Sequence, residues 1–178
     1  MELVTGNIIN TERKFIIDDE KVRVEEPAKW IKSLSDSVES YIINQFYVDG
    51  IKYREIMVED EDKDEGEGPA IKTVGYTKNI KNGNITNVTE ITPDEYDSAL
   101  EKTYRHHSSK NRDTYIKDGF HIDIDTYFTT DLTLIEVSGD NLEKFVPPEF
   151  LKEVTGDENY SAKKIFEKEM EWLKTRGF

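Results

Sequence analysis

The chain has no cysteine at all. That excludes a disulfide framework and any thiolate-bound metal or nucleophile. It has no apolar run near the ~20 residues of a membrane-spanning helix. Its N-terminus lacks the basic start and apolar stretch of a secretory signal, so the expectation is a soluble cytoplasmic protein. Positive charge is in deficit: 24 Lys and Arg stand against 38 Asp and Glu, a formal net charge of −14. That balance argues against a general nucleic-acid surface and against docking on anionic membranes. Hydrophobic residues make up only 35% of the 178 residues, and charged residues another 35%. A small core with many charges fits a β-barrel with a polar interior, or a domain with a disordered portion. Nine Tyr and eight Phe argue against wholesale disorder. The length suits one domain, 1–178.

What is present is a series of short strands. Residues 10–17 alternate charged with β-branched and aromatic residues, as a strand does. Asn10, Glu12 and Lys14 then share one face, and Arg13, Phe15 and Ile17 the other. Pro27 opens a short helix to about Leu34. Strands follow at 41–48 and 51–58 around Asp49-Gly50, and at 70–79 and 84–91 around Asn82-Gly83. A helix starts at Pro93, with Thr92 as N-cap and Glu95 placed for a capping box, and runs to about Arg105. Strands at 109–117 and 120–128 flank Asp118-Gly119, and a last strand covers 132–138. A helix is expected at about 161–175. The acidic stretch 59–68 reads as a solvated connection, without the spacing of a calcium loop. Asn84 and Asn87 match the glycosylation pattern but read as turn and strand residues. His106 and His107, as neighbours, diverge too far on a helix to make a good ligand pair.

Eight strands joined mostly by tight hairpins predict an α+β fold: an eight-stranded antiparallel closed barrel with a few flanking helices. Several strands carry ionisable residues two apart. The basic set is Lys14, Lys52, Arg54, Lys78, Lys110 and Arg112. The acidic set is Glu12, Glu90, Asp123, Asp125 and Glu136. If these faces turn inward they must pair or bind a charged ligand, and a polyphosphate with a divalent metal satisfies both signs. If they face water, residues such as Phe15, Ile17, Ile51 and Val137 fill a small barrel instead. The residues alone leave both readings open.

The order of motifs resembles the CYTH superfamily, the triphosphate tunnel metalloenzymes, and its short bacterial members in particular. Glu12-Arg13-Lys14 is similar to the end of the family's Glu-x-Glu-x-Lys strand. Gln45-Phe46-Tyr47-Val48 followed by Lys52-Tyr53-Arg54 resembles its Gln-Gly-Tyr-Leu and Arg-x-Arg elements. Tyr76-Thr77-Lys78, Val88-Thr89-Glu90, Lys110-Asn111-Arg112, Asp123-Ile124-Asp125-Thr126-Tyr127 and Glu136-Val137-Ser138 follow in family order. The tail from Pro147 to Asp157 resembles the family's ending. The resemblance implies a triphosphate or nucleotide ligand and Mg²⁺ or Mn²⁺, and it admits a homodimer; the charge balance sets the expectation of no nucleic acid and no membrane. It implies Lys14, Lys52, Arg54, Lys78, Lys110 and Arg112 as phosphate contacts, and Glu12, Asp123 and Glu136 as metal ligands. Glu12, Lys14, Glu90 and Asp125 are the implied catalytic set. Three family carboxylates are replaced, by Asn10, Val88 and Ser138. Hydrolysis of a triphosphate, inorganic or nucleoside, is therefore set beside two alternatives: a binder of nucleotide or polyphosphate that has lost catalysis, and an adenylate cyclase.

Overall fold

The computed structural model describes residues 3–34, 39–60 and 70–177. Most of the acidic stretch, residues 61–68, lies outside them. Ten strands and three α-helices give an antiparallel α+β fold. The strands are β1 (Gly6–Ile9), β2 (Glu12–Ile17), β3 (Glu39–Val48), β4 (Ile51–Glu59), β5 (Ile71–Asn82), β6 (Ile85–Ile91), β7 (Ser108–Lys117), β8 (Phe120–Tyr127), β9 (Thr133–Ser138) and β10 (Leu151–Glu153). The helices are α1 (Glu26–Ser33), α2 (Pro93–Glu101) and α3 (Ala162–Thr175). Two strands beyond the expected eight are β1 and β10, each too short to carry a periodic signal. Among the described residues β1 and β10 each have a single sheet neighbour, so the sheet is open there.

The chain divides into two compact units. The first comprises Met1–Asn10, Tyr41–Lys110 and Ala162–Phe178; the second comprises Thr11–Ser40 and Asn111–Ser161. In the first unit the strand order is β1-β6-β5-β4-β3. Its hairpins obey the turn chemistry. Asp49 and Gly50 both take positive φ, 51° and 77°, as a two-residue turn of mirror-image hand requires. At the next hairpin Asn82 pairs with Ile85, so Gly83 and Asn84 are the turn residues rather than Asn82 and Gly83. Glycine takes the position with positive φ, 62°. One face of this sheet carries Phe46, Tyr53 and Tyr76, packed against Tyr96, Ala99 and Leu100 of α2. Phe46 stacks on Tyr53 with centroids 5.2 Å apart. Thr92 caps α2 by accepting a hydrogen bond from Glu95 N at 3.1 Å. The helix ends at Glu101, four residues before the expected Arg105. Tyr104 and Arg105 adopt left-handed backbone, φ 54° and 61°, which no helix continues through.

In the second unit the order is β7-β8-β9-β2-β10, with β7 entering from Lys110. Its apolar face gathers Phe15, Ile122, Ile124, Ile135 and Val137 beneath Leu34, Phe150 and Leu151, with Trp30 and Ile31 of α1 packed on them. Each such side chain contributes about 1.5–3 kcal/mol when fully buried. The tail is tied down by polar contacts as well. Arg13 donates to both carboxylate oxygens of Glu153 at 2.8 and 2.9 Å, and to the carbonyls of Leu142 and Phe145. Thr155 Oγ1 accepts from Lys14 N at 2.9 Å. The family-like ending is thus a clamp on β2.

Candidate functional site

The strands of the second unit turn every charged candidate onto the face opposite that apolar core. The register aligns Glu12 with Ser138, and Lys14 with Glu136. It aligns Ser138 with His121, and Glu136 with Asp123. The apolar alternative for this face is therefore settled locally: Phe15 and Val137 belong to a core covered by α1 and the tail, and the charges lie across the sheet from it.

Arg112 is the centre of this face. Its Nε and Nη2 donate to the two oxygens of Asp125 at 2.6 and 2.7 Å, a bidentate fork. Its Nη1 lies 3.2 Å from Asp123, and its Nη2 3.5 Å from Glu136. Burial pulls the guanidinium down, but Asp125, Glu136 and Asp123 outweigh it and hold Arg112 well above its ordinary value. Asp125 is 0% exposed, and that fork offsets the cost of burying its charge. Asp123 also accepts from Thr114 Oγ1 at 2.6 Å, and His121 Nε2 lies 3.2 Å away. Lys14 Nζ sits 3.4 Å from Glu12 and 4.0 Å from Glu136. Burial raises the pKa of Glu12, Glu136 raises it further by repulsion, and Lys14 opposes them. Four carboxylates thus face two cations.

The expected metal set Glu12, Asp123 and Glu136 does not converge. Among the described residues no three carboxylate or imidazole groups are arranged around one point. Asp123 is turned toward Arg112 and Thr114, where a charge-assisted bond satisfies it. Glu12 and Glu136 remain as an adjacent pair whose mutual repulsion a divalent cation would relieve, and oxygen donors suit a hard cation. Glu12 and Glu136 are therefore the residues that could hold such an ion.

The first unit holds the other candidates. Register places Gln45, Arg54, Thr77 and Glu90 in one row, and Tyr47, Lys52, Asn79 and Val88 in the next, on the sheet face away from α2. Ser109 Oγ donates to Asn44 Oδ1 on the α2 face, so alternation turns buried Lys110 toward the Lys52 and Arg54 face. Lys78 is a correction. It pairs with Tyr53 and Thr89 on the α2 face, and its Nζ meets Glu95 of α2 at 3.0 Å. Its spacing from the expected motif is off by one residue, and a one-residue slip moves a side chain to the other face. Asn10 donates to Thr86 Oγ1 at 2.6 Å, a bond within the first unit. Val88 is buried in the Lys52 and Asn79 row.

Two polar residues on these faces were not among the expected site residues, although Gln45 lies in a family-like element. Thr114 stands two positions after Arg112, so its parity was legible. Gln45 is 1% exposed, and both polar atoms of its carboxamide lack a hydrogen bond among the described residues. Its parity with Tyr47 was the available signal.

No protein-family model matches the chain, and no curated protein matches it. Solved structures do. Two crystal structures, of the hypothetical protein NE1496 and of the inorganic triphosphatase NE1496, each align at a TM-score of 0.51 and 20% identity. They cover 87% and 93% of this chain, and 95% and 96% of their own. The likeness shows the fold, an antiparallel α+β arrangement shared with these structures. Among the described residues no helix is long and apolar enough to cross a membrane.

Proposed function

We propose that the protein binds a triphosphate-bearing compound, inorganic triphosphate or a nucleoside triphosphate, and hydrolyses it with a divalent cation. The observation that carries this reading is the second unit's polar face, where Arg112, Lys14 and four carboxylates lie within ion-pair reach on one side of a sheet. The fold it shares with the inorganic triphosphatase NE1496 adds support. Arg112 and Lys14 supply the donors for phosphate oxygens. Asp125 and Asp123 hold the guanidinium fork in a fixed plane, so no rotamer freedom is lost when an anion arrives. On the first unit's own polar face, Lys52, Arg54 and Lys110 are separate candidate phosphate contacts in this proposal, and Glu90 a candidate for positioning water. Glu12 and Glu136 would hold Mg²⁺ or Mn²⁺, which when bound neutralises phosphate charge and polarises the phosphoryl group. Hydrolysis forms one P–O bond to water, breaks the bridging P–O bond and releases a proton to solvent.

A second reading, binding without turnover, is favoured by one specific observation: Asp123 is engaged by Arg112 and Thr114, which leaves two protein donors for the metal. Phosphate release from tripolyphosphate and ATP with Mg²⁺ or Mn²⁺, run beside a calorimetric titration, separates the two. Metal-dependent release that is lost in Glu136→Ala supports hydrolysis. Binding without release supports the second reading. Neither binding nor release overturns both.

A further inference from the structure

Helix α3 brings a carboxylate to the first unit's polar face. The side chains that α3 buries are Ile165, Phe166 and Glu169. Ile165 and Phe166 suit the inward stripe of an amphipathic helix. A glutamate in that stripe does not, because a buried carboxylate costs free energy unless charge and hydrogen bonds offset it. Glu169 is 5% exposed.

Two contacts fix what Glu169 meets. Ser108 Oγ donates to Glu169 Oε1 at 3.2 Å, and Ser108 is itself fully buried. Ser109, the next residue of β7, bonds to Asn44 on the α2 face, so Ser108 and Lys110 share the opposite face. Residues two apart on a strand lie about 7 Å apart, within the reach of a lysine side chain. About one helical turn before Glu169, the Phe166 ring stands 5.8 Å from that of Tyr47. Tyr47 lies opposite Lys52 in the β3–β4 register. Glu169 is therefore held against the face on which Lys110 and Lys52 lie, two of the cations proposed as phosphate contacts.

The sheet does not complete its own hydrogen bonds with α3 in place. Gln45, set opposite Arg54 by the same register, is buried, and neither polar atom of its carboxamide has a hydrogen bond among the described residues. Its Nε2 donors suit an oxyanion, which the α3 carboxylate leaves unmet.

We infer that α3 is a built-in competitor for anions on this face: the Glu169 carboxylate occupies it in the absence of ligand, and a polyphosphate displaces that carboxylate when it binds Lys52, Arg54 and Lys110. The inference rests on the proposed phosphate contacts of this face. Ligand and carboxylate carry the same sign, so each weakens the other's hold by the same factor. Affinity for phosphate is then set by how firmly α3 is seated as well as by the cations.

The test is a calorimetric titration of tripolyphosphate, without Mg²⁺, into the full chain as wild type, Glu169→Gln, Glu167→Gln and Arg54→Ala. Glu169→Gln keeps the shape and an acceptor for Ser108 and removes the charge, and it should bind about fivefold or more tightly than the wild type. Glu167 is exposed on α3 and pairs with Lys164 at 3.7 Å. Glu167→Gln makes the same change of net charge there and should stay within about twofold of the wild type. In the wild type, saturating tripolyphosphate should speed amide hydrogen exchange across α3 relative to the free protein. Equal affinity of Glu169→Gln and the wild type, an equal gain in Glu167→Gln, or unchanged or slower exchange in α3 overturns the inference. Arg54→Ala separates that result from a failure of the phosphate reading. If Arg54→Ala weakens binding while Glu169→Gln does not tighten it, the inference alone falls. If nothing binds, or Arg54→Ala binds as the wild type does, the phosphate contacts of this face fall and the inference falls with them.

Discussion

The polar sheet faces of the two units solve the cost of sheltered charge in opposite ways. In the second unit Arg112, Asp125, Asp123, Glu136, Lys14 and Glu12 neutralise one another through direct contacts of 2.6 to 4.0 Å. In the first unit Lys52, Arg54 and Lys110 are interleaved with neutral groups, Gln45, Thr77 and Asn79, and the carboxylate in register, Glu90, is exposed. One face is a network of direct ion pairs; the other sets its cations among neutral side chains that form hydrogen bonds. The comparison teaches that similar alternation can present the same cations beside carboxylates or beside neutral donors and acceptors.

The largest effect should come from breaking the paired face. Arg112→Ala removes the bidentate partner of buried Asp125, which costs about 3–5 kcal/mol and lowers Tm by roughly 10 °C. If the cost lies in the carboxylate that loses its fork, adding Asp125→Ala to that variant recovers most of it. Thermal unfolding of the single and double variants checks this, and equal loss in both would mean that Arg112 acts through packing.

A smaller effect concerns Glu12. Its folded pKa is raised by burial and by Glu136, so between the unfolded value and that raised value the folded state binds the more protons. Stability therefore falls as pH rises through that window above 4.5, and the penalty is complete once Glu12 is ionised in both states. Glu12→Gln should remove this fall and raise Tm at neutral pH without divalent ions. In the wild type Mg²⁺ should raise Tm by mass action, and more at neutral pH than near pH 4.5. Unfolding curves across pH, with and without Mg²⁺, read both.

The smallest effect is expected at Lys78. Its partner Glu95 is an exposed residue of α2, and such pairs are worth only a few tenths of a kcal/mol. Lys78→Ala should change stability by less than about 0.5 kcal/mol and leave phosphate binding unaltered.

The contrast between Lys78 and Lys14 also marks where the sequence was legible. Strand parity placed Glu12, Lys14, Arg112, Asp123, Asp125 and Glu136 on one face, because β2, β7, β8 and β9 alternate without interruption. Lys78 was grouped with the other strand cations by residue type, and the resemblance did not correct it because a shift of one residue reverses the face. The three-carboxylate metal set came from the resemblance, which cannot foresee that Asp123 meets Thr114 and Arg112. β1 and β10 went unseen because strands of four and three residues carry no period. The end of α2 was overrun because nothing in Tyr104-Arg105 announces left-handed backbone.

The most direct test is a calorimetric titration of tripolyphosphate into the wild type, Lys14→Ala and Lys78→Ala, with and without Mg²⁺. A charged hydrogen bond lost from the site weakens binding about tenfold or more, so Lys14→Ala should show that loss while Lys78→Ala matches the wild type. Equal affinities in all three, or a larger loss in Lys78→Ala, would contradict the assignment of the phosphate site to the face that Lys14 and Arg112 share.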